Sequence, residues 1–456
     1  MLQQTITDQF ETRLRELAEW LKIPSISALP EHHADVRKAG EWAKTYLQNM
    51  GFPRVEITET AGLPVIYAEH CPYPDKPTVL FYGHVDVQPA DPLELWQSPP
   101  FEATIRDGKL FARGANDDKG QCMVWLGALQ ALKTLHGAFP VNVKVILESE
   151  EEIGGHSVED YVKAHAEQLK CDAVIVCDTS MYSPEHPSIC TSLRGIVYTE
   201  VEVRGGKTDM HSGHYGGVAP NPLHALALLI TRLKDEDGHI NIPALQQAIP
   251  AVTDDEKAFW EQDPVNFAPS LLEEMAVPQL YGENQFSPYA RTGLRPTLEV
   301  HGIVGGFVGE GSKTVIPAKA TAKISLRLPP GMAPAPALEA FKTAVHQHMP
   351  AGYATEVKTL GLGAGMSTDW NGAFMRKARN AMATVYGKPP APMRMGGSVP
   401  VCAVFDGVLK APVLLIGFGL PDDDLHAPNE KYSLDQLKKG MHTMALLLED
   451  LGANAD

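Results

Sequence analysis

The chain has 456 residues, of which 44% are hydrophobic and 21% are charged, a composition typical of a globular protein. Its formal net charge of -17 opposes a broad nucleic-acid or anionic-membrane surface, because those partners are negatively charged themselves. A chain of this length exceeds what one hydrophobic core usually serves, so two domains are expected.

An amphipathic helix is predicted near the amino terminus, where Phe10, Leu14, Leu17 and Leu21 recur at helical spacing. This segment lacks the basic and apolar regions of a secretion signal, and no apolar stretch approaches the length that spans a membrane. The six cysteines form no C-x-x-C pair, which favours buried free thiols in a reducing compartment. These features predict a cytoplasmic protein with no membrane partner.

Apolar strand patterns then alternate with helical patterns. Strands are predicted at residues 78–87, 141–148 and 173–178, with helices at 117–135 and 157–169. The same alternation of apolar strand and helical patterns returns after residue 366. It predicts a helix at 373–387, a strand at 411–419 and a closing helix at 433–452. Continuous apolar strands of this kind indicate a largely parallel sheet covered by helices on both faces.

The segment between these two α/β parts has a different pattern, because its predicted strands alternate polar and apolar residues. Such strands are predicted at 199–205, 296–303 and 319–330, with helices at 222–235 and 337–349. The alternation is typical of an antiparallel sheet with one solvated face. Asn221 and Pro222 are predicted to be the N-cap and first residue of a helix.

The simplest organisation is one α/β domain interrupted by another domain. We predict an α/β domain with a largely parallel mixed sheet, formed by residues 1–193 and 367–456, and an inserted α+β domain at residues 194–366. The Pro/Gly-rich segments at 328–337 and 386–400 are predicted to be loops.

Polar residues follow the predicted strands of the α/β domain, at the edge where open α/β sheets bind ligands. They are His84 and Asp86, the acidic residues 150–152, Asp178 and His426. Taken alone, the acidic run at 148–152 would be a solvated loop, and Asp117 and Asp118 would cap a helix. His84 and Asp86 are two residues apart, so the carboxylate is expected to accept the second ring N–H of the imidazole.

Two imidazoles and several carboxylates without thiolate are suited to Zn, Mn or Co. Crowded carboxylates repel one another, whereas two divalent cations would reverse the local charge balance. A two-metal site can acidify a bridging water and polarise a carbonyl group. The pattern therefore predicts hydrolysis, with one carboxylate kept off the metals to carry the proton.

Nine motifs occur together, in one order, from about Leu21 to the end of the chain. They are GHVDVQP, RGANDDKG, ESEEEIGG, VCDTS, DMHSGHYGG, SKTVIPAKA, SLRLPP, RMGGSVPV and LHAPNEK. In this order and spacing the chain resembles the co-catalytic di-zinc metallopeptidase family, which includes cytosolic non-specific dipeptidase, carnosinase, glutamate carboxypeptidase and aminoacylase. It resembles the dipeptidase branch most. The resemblance implies a zinc-peptidase type of fold with an inserted lid and dimerisation domain.

The resemblance also implies a set of metal ligands. His84 and Asp178 would bind one metal, Glu152 and His426 the other, and Asp117 would bridge them, followed by a cis peptide bond.

The resemblance implies two supporting roles at the metal site. Glu151 would be the general base that takes a proton from the bridging water and returns it to the leaving amine. Asp86 would orient His84. Glu148 and Glu150 are expected to be solvated or to lie behind the ligands.

In the inserted domain, His211 would reach the partner subunit's active site and stabilise the tetrahedral oxyanion. Arg327 would bind the terminal carboxylate of the substrate. The other residues implied to bind substrate are Arg394, Gly397, Ser398 and Thr314. Met395 stands where the family more often has Glu, so this loop departs from the family pattern.

We therefore predict a cytoplasmic, homodimeric hydrolase that cleaves the amide bond of dipeptides or short peptides. Each subunit would hold two divalent metal ions, Zn or alternatively Mn or Co. An N-acyl or N-carbamoyl amino-acid amidohydrolase of the same mechanism is an alternative, because its substrates also carry a free carboxylate. A non-catalytic binding protein of the same fold is a remote alternative, opposed by the presence of all the implied ligands and the base.

Overall fold

The chain folds into two compact units. The computed structural model describes residues 1–252, 257, 269, 271, 272, 275–397 and 399–453. The first unit comprises Met1–Thr191, Thr368–Met393 and Val401–Asp456, and the second comprises Ser192–Ser367 and Arg394–Pro400. The chain therefore passes twice from the first unit to the second and back.

The elements are numbered in chain order. The described helices are α1 (Leu2–Leu21), α2 (His33–Met50), α3 (Lys119–His136), α4 (Ser157–Ala164), α5 (Ser212–Tyr215), α6 (Pro222–Leu233), α7 (Pro243–Gln247), α8 (Pro288–Gly293), α9 (Pro334–His348), α10 (Ala373–Tyr386), α11 (Pro400–Val404) and α12 (Leu434–Gly452). The described strands are β1 (Arg54–Thr58), β2 (Val65–His70), β3 (Thr78–His84), β4 (Thr104–Arg106), β5 (Lys109–Phe111), β6 (Asn142–Glu148), β7 (Ala173–Val176), β8 (Ser188–Leu193), β9 (Gly195–Arg204), β10 (Met210–His211), β11 (Thr297–Gly305), β12 (Val315–Ile316), β13 (Lys319–Leu328), β14 (Ala354–Gly363), β15 (Met366–Ser367), β16 (Ala391–Met395), β17 (Val413–Leu415) and β18 (Lys431–Ser433).

A mixed sheet forms the centre of the first unit, with the strand order β1-β2-β6-β3-β7-β17-β8. The central pairs β6–β3, β3–β7 and β7–β17 are parallel. The flanking pairs β1–β2, β2–β6 and β17–β8 are antiparallel. The predicted largely parallel mixed sheet covered by helices is confirmed, although three strands end earlier than predicted, β3 at His84, β7 at Val176 and β17 at Leu415.

Helix α3 fixes the geometry of the loop that precedes it. Its Trp125 stacks on Phe81 of β3 with ring centroids 4.9 Å apart, and both side chains are fully buried. An aromatic pair of this kind contributes about 1 kcal/mol beyond its area burial. Gly83 permits the close approach, because a Cβ atom there would lie 2.7 Å from a carboxylate oxygen of Asp118. The start of α3 is thereby held against the carboxyl end of β3.

The second unit contains an antiparallel sheet with the order β11-β13-β9-β14, as predicted for an α+β domain. Helices α6 and α9 supply apolar side chains to its core, including Leu226, Leu229 and Phe341. The predicted N-cap is confirmed, because the side chain of Asn221 accepts the Leu223 N–H at 3.0 Å. A separate two-stranded ribbon pairs β10 with β12.

Two predictions about the loops and the cysteines were wrong in part. The segment 386–400 contains β16, which pairs with β8, and the segment 328–337 runs into α9 at Pro334. Pairing with a distant strand overrode the local Pro/Gly signal. Of the cysteines, Cys122, Cys177, Cys190 and Cys402 are buried free thiols, whereas Cys171 is partly exposed and Cys71 is exposed. None of the described helices is long and apolar enough to cross a bilayer.

Candidate metal centre

The carboxyl ends of four neighbouring strands in the first unit carry the polar residues singled out in the sequence. His84 is the last residue of β3, and Glu148 is the last residue of β6. Asp178 follows β7, and His426 lies in the loop after β17. Parallel strands end at the same edge of a sheet, so the topology brings these side chains together.

Asp117 lies between the two imidazoles. Its Oδ1 is 3.0 Å from Nε2 of His84, and its Oδ2 is 3.0 Å from Nε2 of His426. Each imidazole also faces a carboxylate of its own. Nε2 of His84 is 3.9 Å from Oδ2 of Asp178, and Nε2 of His426 is 3.3 Å from Oε2 of Glu152. The structure therefore forms two His-carboxylate pairs that share one further carboxylate.

The cluster fits divalent cations. Potential ligand atoms of His84, Asp117 and Glu152 all lie within 4.8 Å of one another. Zinc takes nitrogen and oxygen ligands at about 2.0–2.2 Å and the two ions of a shared site are about 3.5–4 Å apart, so ligand atoms of one or both ions lie within a few Å of one another. The expected cis peptide bond is present between Asp117 and Asp118.

Burial and mutual repulsion shift the pKa values of the cluster. Burial raises the pKa of Glu152 to about 10, and the negative charge of Asp117 adds to the shift. Burial and Asp117 likewise raise the pKa of Asp178 to about 6. Burial also raises the pKa of Glu151 far above its ordinary value, reinforced by nearby carboxylates. Protons or cations are needed to neutralise such a cluster.

The pKa of Asp117 moves the other way. Burial opposes its ionisation, but hydrogen bonds with His426 and His84 hold the pKa well below its usual range. Asp117 is therefore the carboxylate that stays ionised between the two imidazoles, as a residue shared by two cations would be.

Asp86 supports both sides of the cluster. Nδ1 of His84 lies 3.0 Å from the backbone oxygen of Asp86 and 3.4 Å from its carboxylate. The expected contact between the imidazole and the carboxylate is therefore present, beside a shorter one to the backbone oxygen, which lies just beyond the end of β3. The other carboxylate oxygen of Asp86 accepts the backbone N–H of Glu152 at 3.1 Å.

Asp118 has a different role from the helix cap considered in the sequence. Its side chain makes no capping hydrogen bond to α3. One carboxylate oxygen accepts the backbone N–H of His84 at 3.1 Å and lies 3.2 Å from Sγ of Cys122. Asp118 thus fixes the backbone of a candidate ligand.

Glu148 and Glu150 are both buried, which excludes solvation, one of the two alternatives expected for them. The hydroxyl of Tyr82 donates to Glu148. Glu150 accepts the backbone N–H of Leu63 at 2.8 Å and of Ser157 at 3.3 Å. Distant donors satisfy these carboxylates, and a local sequence pattern does not contain that information.

Three further contributors were missed in the sequence. Gln88 donates from Nε2 to the carboxylate of Glu152 at 2.7 Å. Tyr82 is the buried partner of Glu148. Glu430 is fully buried and accepts the backbone N–H of Asp117 at 3.1 Å. For Glu430 the sequence offered one signal, its place in the LHAPNEK motif beside His426.

His211 lies in the second unit, at the end of β10, and its side chain is exposed. Its Nδ1 accepts the Gly213 N–H at 3.0 Å, so in the neutral ring the proton is on Nε2. The Thr314 carbonyl accepts the Ser212 N–H at 3.1 Å, which places Thr314 beside His211.

The remaining candidate substrate residues also belong to the second unit. Arg327 is a half-buried residue of β13, and burial lowers the pKa of its guanidinium. The backbone N–H of Arg394 donates to the Tyr289 hydroxyl. The Gly397 carbonyl accepts the backbone N–H of Arg194 at 3.1 Å. Ser398 lies outside the described residues.

A His-carboxylate cluster at the carboxyl edge of a mixed α/β sheet defines an α/β metallohydrolase class. Comparison with known proteins narrows this class. Residues 80–450 match the peptidase family M20/M25/M40, and the chain belongs to that family.

Three relatives illustrate the match. The chain is 32% identical to the Cys-Gly metallodipeptidase of Schizosaccharomyces pombe over 467 residues, covering 98% of this chain and 96% of the relative. It is 31% identical to the Beta-Ala-His dipeptidase of Rattus norvegicus over 440 residues, covering 92% and 88%. The crystal structure of an M20 family metallo-carboxypeptidase from Sulfolobus solfataricus has a TM-score of 0.87, 30% identity and coverage of 96% and 99%.

The raised pKa of Glu148 predicts that the stability of the protein depends on pH. Burial raises the pKa of Glu148 to about 8 from its ordinary value of 4.5, so the folded state binds this proton more tightly than the unfolded state. Its contribution to stability is complete below about pH 4.5 and is lost as the pH rises towards about 8. Replacing Glu148 with Gln should therefore reduce the loss of stability of the metal-free protein over this pH range, measured by denaturant unfolding at several pH values.

Glu167→Gln is the matched control, because Glu167 is an exposed carboxylate of the same unit. It should leave the pH dependence as in the parent. Equal slopes for Glu148→Gln and the parent would contradict the assignment of this shift to Glu148.

Proposed function

We propose that this chain is a two-metal peptidase that hydrolyses the amide bond of dipeptides or short peptides. The observation that carries the proposal is the Asp117 carboxylate, which is shared between His84 and His426 while each imidazole faces its own carboxylate. Two relatives are named Beta-Ala-His dipeptidase and Cys-Gly metallodipeptidase, which supports a dipeptide substrate.

This pairing supports a set of proposed metal ligands. His84 and Asp178 would hold one ion, Glu152 and His426 the other, and Asp117 would be common to both. Two divalent cations, Zn or alternatively Mn or Co, would polarise the substrate carbonyl and acidify the attacking water. Asp86 would keep His84 and Glu152 in place through its contacts with both.

Glu151 is the proposed general base. It lies in the same short helical turn as Glu152, where burial, and after it the neighbouring carboxylates, raise its pKa and so favour proton uptake. Glu151 would accept the proton of the attacking water and deliver it to the leaving amine.

The second unit would supply the substrate contacts. In the neutral ring of His211 the Nε2 proton is left to donate to the oxyanion, because Nδ1 is engaged by Gly213. The planar guanidinium of Arg327 suits a terminal carboxylate. Thr314, Arg394, Gly397 and Ser398 are the other proposed substrate residues.

We propose a cytoplasmic homodimer in which His211 acts at the partner's site. Exposed apolar side chains support the dimer, since Ile303 and Val304 on β11 are 50% and 66% exposed, and Phe307 and Val308 beyond it are 44% and 87% exposed. β11 is an edge strand of its sheet, and a second copy would cover such a surface. The free cysteines support a reducing compartment.

A substrate panel tests the proposed reaction. Protein loaded with Zn, Mn or Co should hydrolyse dipeptides faster than N-acetyl or N-carbamoyl amino acids, with kcat/KM measured for each compound. Hydrolysis confined to the acyl or carbamoyl compounds would contradict the dipeptidase proposal, and hydrolysis confined to longer peptides would favour a carboxypeptidase like the Sulfolobus relative.

Replacing Glu151 with Gln should lower kcat by about a thousandfold or more, because the amide cannot accept the proton. Metal content, measured by elemental analysis, and thermal stability should match the parent. Glu159→Gln is the control, since Glu159 belongs to the surface helix that follows the same loop. Parental kcat in Glu151→Gln would rule out the proposed base.

Mixed dimers test whether His211 acts across an interface. His211→Ala and Glu151→Gln should each be inactive alone. After subunit exchange, a mixed dimer would contain one site with both Glu151 and the partner's His211, so about a quarter of the parental activity should return. No recovery after exchange, verified by mass spectrometry of the mixed dimer, would show that His211 does not act in trans.

A further inference from the structure

Glu430 is a fully buried carboxylate whose two oxygens accept four donors. Oε2 accepts Nη1–H of Arg113 at 2.8 Å and the backbone N–H of Gly114 at 2.9 Å. Oε1 accepts the backbone N–H of Asn116 at 3.0 Å and of Asp117 at 3.1 Å. A carboxylate with four charge-assisted or backbone donors fixes the path of the segment that it binds.

That segment ends on the carboxylate shared by the two imidazoles. Because Glu430 binds the amide of Asp117 itself, the position of the Asp117 side chain depends on this contact. The backbone of Glu430 adds a further contact, since its carbonyl accepts the Ala112 N–H at 3.1 Å.

Glu430 also lies four residues after His426, in a loop with unusual backbone geometry. His426 and Asn429 have φ angles of 61° and 68°, a left-handed conformation that side-chain-bearing residues adopt only with support from their surroundings. The Asn429 side chain supplies part of this support, accepting the Gln97 N–H at 2.8 Å and donating to the Leu95 carbonyl at 2.9 Å. Glu430 anchors the next position of the loop.

The partner of Glu430 extends the connection to a third loop. Arg113 is buried, and its Nη2 donates to the carbonyl of Pro89 at 3.0 Å. Pro89 belongs to the loop that begins after His84. The Arg113–Glu430 pair therefore joins the loop that follows His84 to the loops that carry Asp117 and His426.

Two other buried carboxylates also accept the backbone N–H of a proposed ligand. Asp118 accepts the backbone N–H of His84, and Asp86 accepts the backbone N–H of Glu152. Three of the proposed ligands thus have their own amide bound by a buried carboxylate that is not a ligand.

We propose that Glu430 is a positioning residue that fixes Asp117 relative to His426, and so sets the geometry of the metal centre. This inference rests on the metal centre of the proposed function, not on the substrate. Glu430 touches no reacting atom in this role and acts through the two ligands. A buried ion pair that only stabilised the fold would leave the ligand geometry unchanged.

The substitution Glu430→Gln tests this role. The glutamine side chain keeps one acceptor oxygen, but its NH₂ group faces N–H donors that need an acceptor. Arg113 also loses its counter-charge. Either the amide of Asp117 or that of Gly114 must then move. We expect metal affinity to fall about tenfold or more, measured by chelator competition with Co²⁺, and the visible spectrum of the Co²⁺ protein to change. On a dipeptide, kcat should fall about tenfold or more, with KM within about threefold.

Glu283→Gln is the matched control. Glu283 is a buried carboxylate of the second unit that accepts Nη2–H and Nε–H of Arg295 at 2.7 Å and 2.9 Å. Glu283→Gln and Glu430→Gln should both lower the stability of the metal-free protein. Glu283→Gln should nevertheless keep the parental Co²⁺ spectrum and affinity. A Glu430→Gln protein with parental Co²⁺ spectrum, affinity and kcat would overturn the positioning role.

If Glu430→Gln does not fold, Glu430→Asp replaces it, because this variant keeps the charge and shortens the reach by one methylene. It should change the Co²⁺ spectrum in the same way, and a parental spectrum would overturn the inference. A parent that binds two Co²⁺ ions but hydrolyses no peptide refutes the proposed reaction alone, and the Co²⁺ readouts still decide the role of Glu430. A parent that binds no Co²⁺ refutes both.

Discussion

Repulsion among carboxylates packed at one edge of a sheet is the constraint on which the rest of this structure depends. Glu151, Glu152 and Asp178 lie together with Asp117, and two imidazoles are the basic side chains that face them. Burial makes the repulsion stronger, since little water is left to screen it. Burial first, and this repulsion after it, raise the pKa values of Glu152 and Asp178, and cations at the same place would relieve the repulsion.

The surrounding structure holds the cluster through backbone amides. Asp86, Asp118 and Glu430 bind the amides of Glu152, His84 and Asp117, so that the candidate ligands are fixed by their main chain as well as by their side-chain contacts. This leaves the ligand oxygens and nitrogens facing one another across 3.0–3.9 Å. A site built in this way is held ready for cations by the fold.

Several features of the fold and the site could be predicted from sequence because they have a local signal. Apolar runs predicted β3, β6 and β7, and strict alternation predicted β9, β11 and β13. Asn221 was recognised as a cap because capping depends on neighbouring residues alone. Polar residues after buried strands pointed to one edge of the sheet, since parallel topology brings strand ends together.

The failures share a physical cause, which is that their partners are distant in sequence. β16 was missed because its Pro-rich sequence forms a strand through pairing with β8. For Glu148 and Glu150 the sequence left open whether they are solvated or lie behind the ligands, and the donors that exclude solvation come from Tyr82, Leu63 and Ser157. Glu430 was passed over because its four donors lie more than 300 residues away in the chain.

The sequence by itself determined the class of fold, the sheet edge that carries the chemistry and the residues proposed to bind metal, because these depend on local patterns and on the resemblance that the motifs carry. The resemblance implied a bridging Asp117, but only the tertiary structure decided that its oxygens lie 3.0 Å from His84 and His426, and that buried carboxylates hold the backbone amides of the candidate ligands. Those facts depend on distances between segments remote in sequence, which are set by the packing of the whole unit.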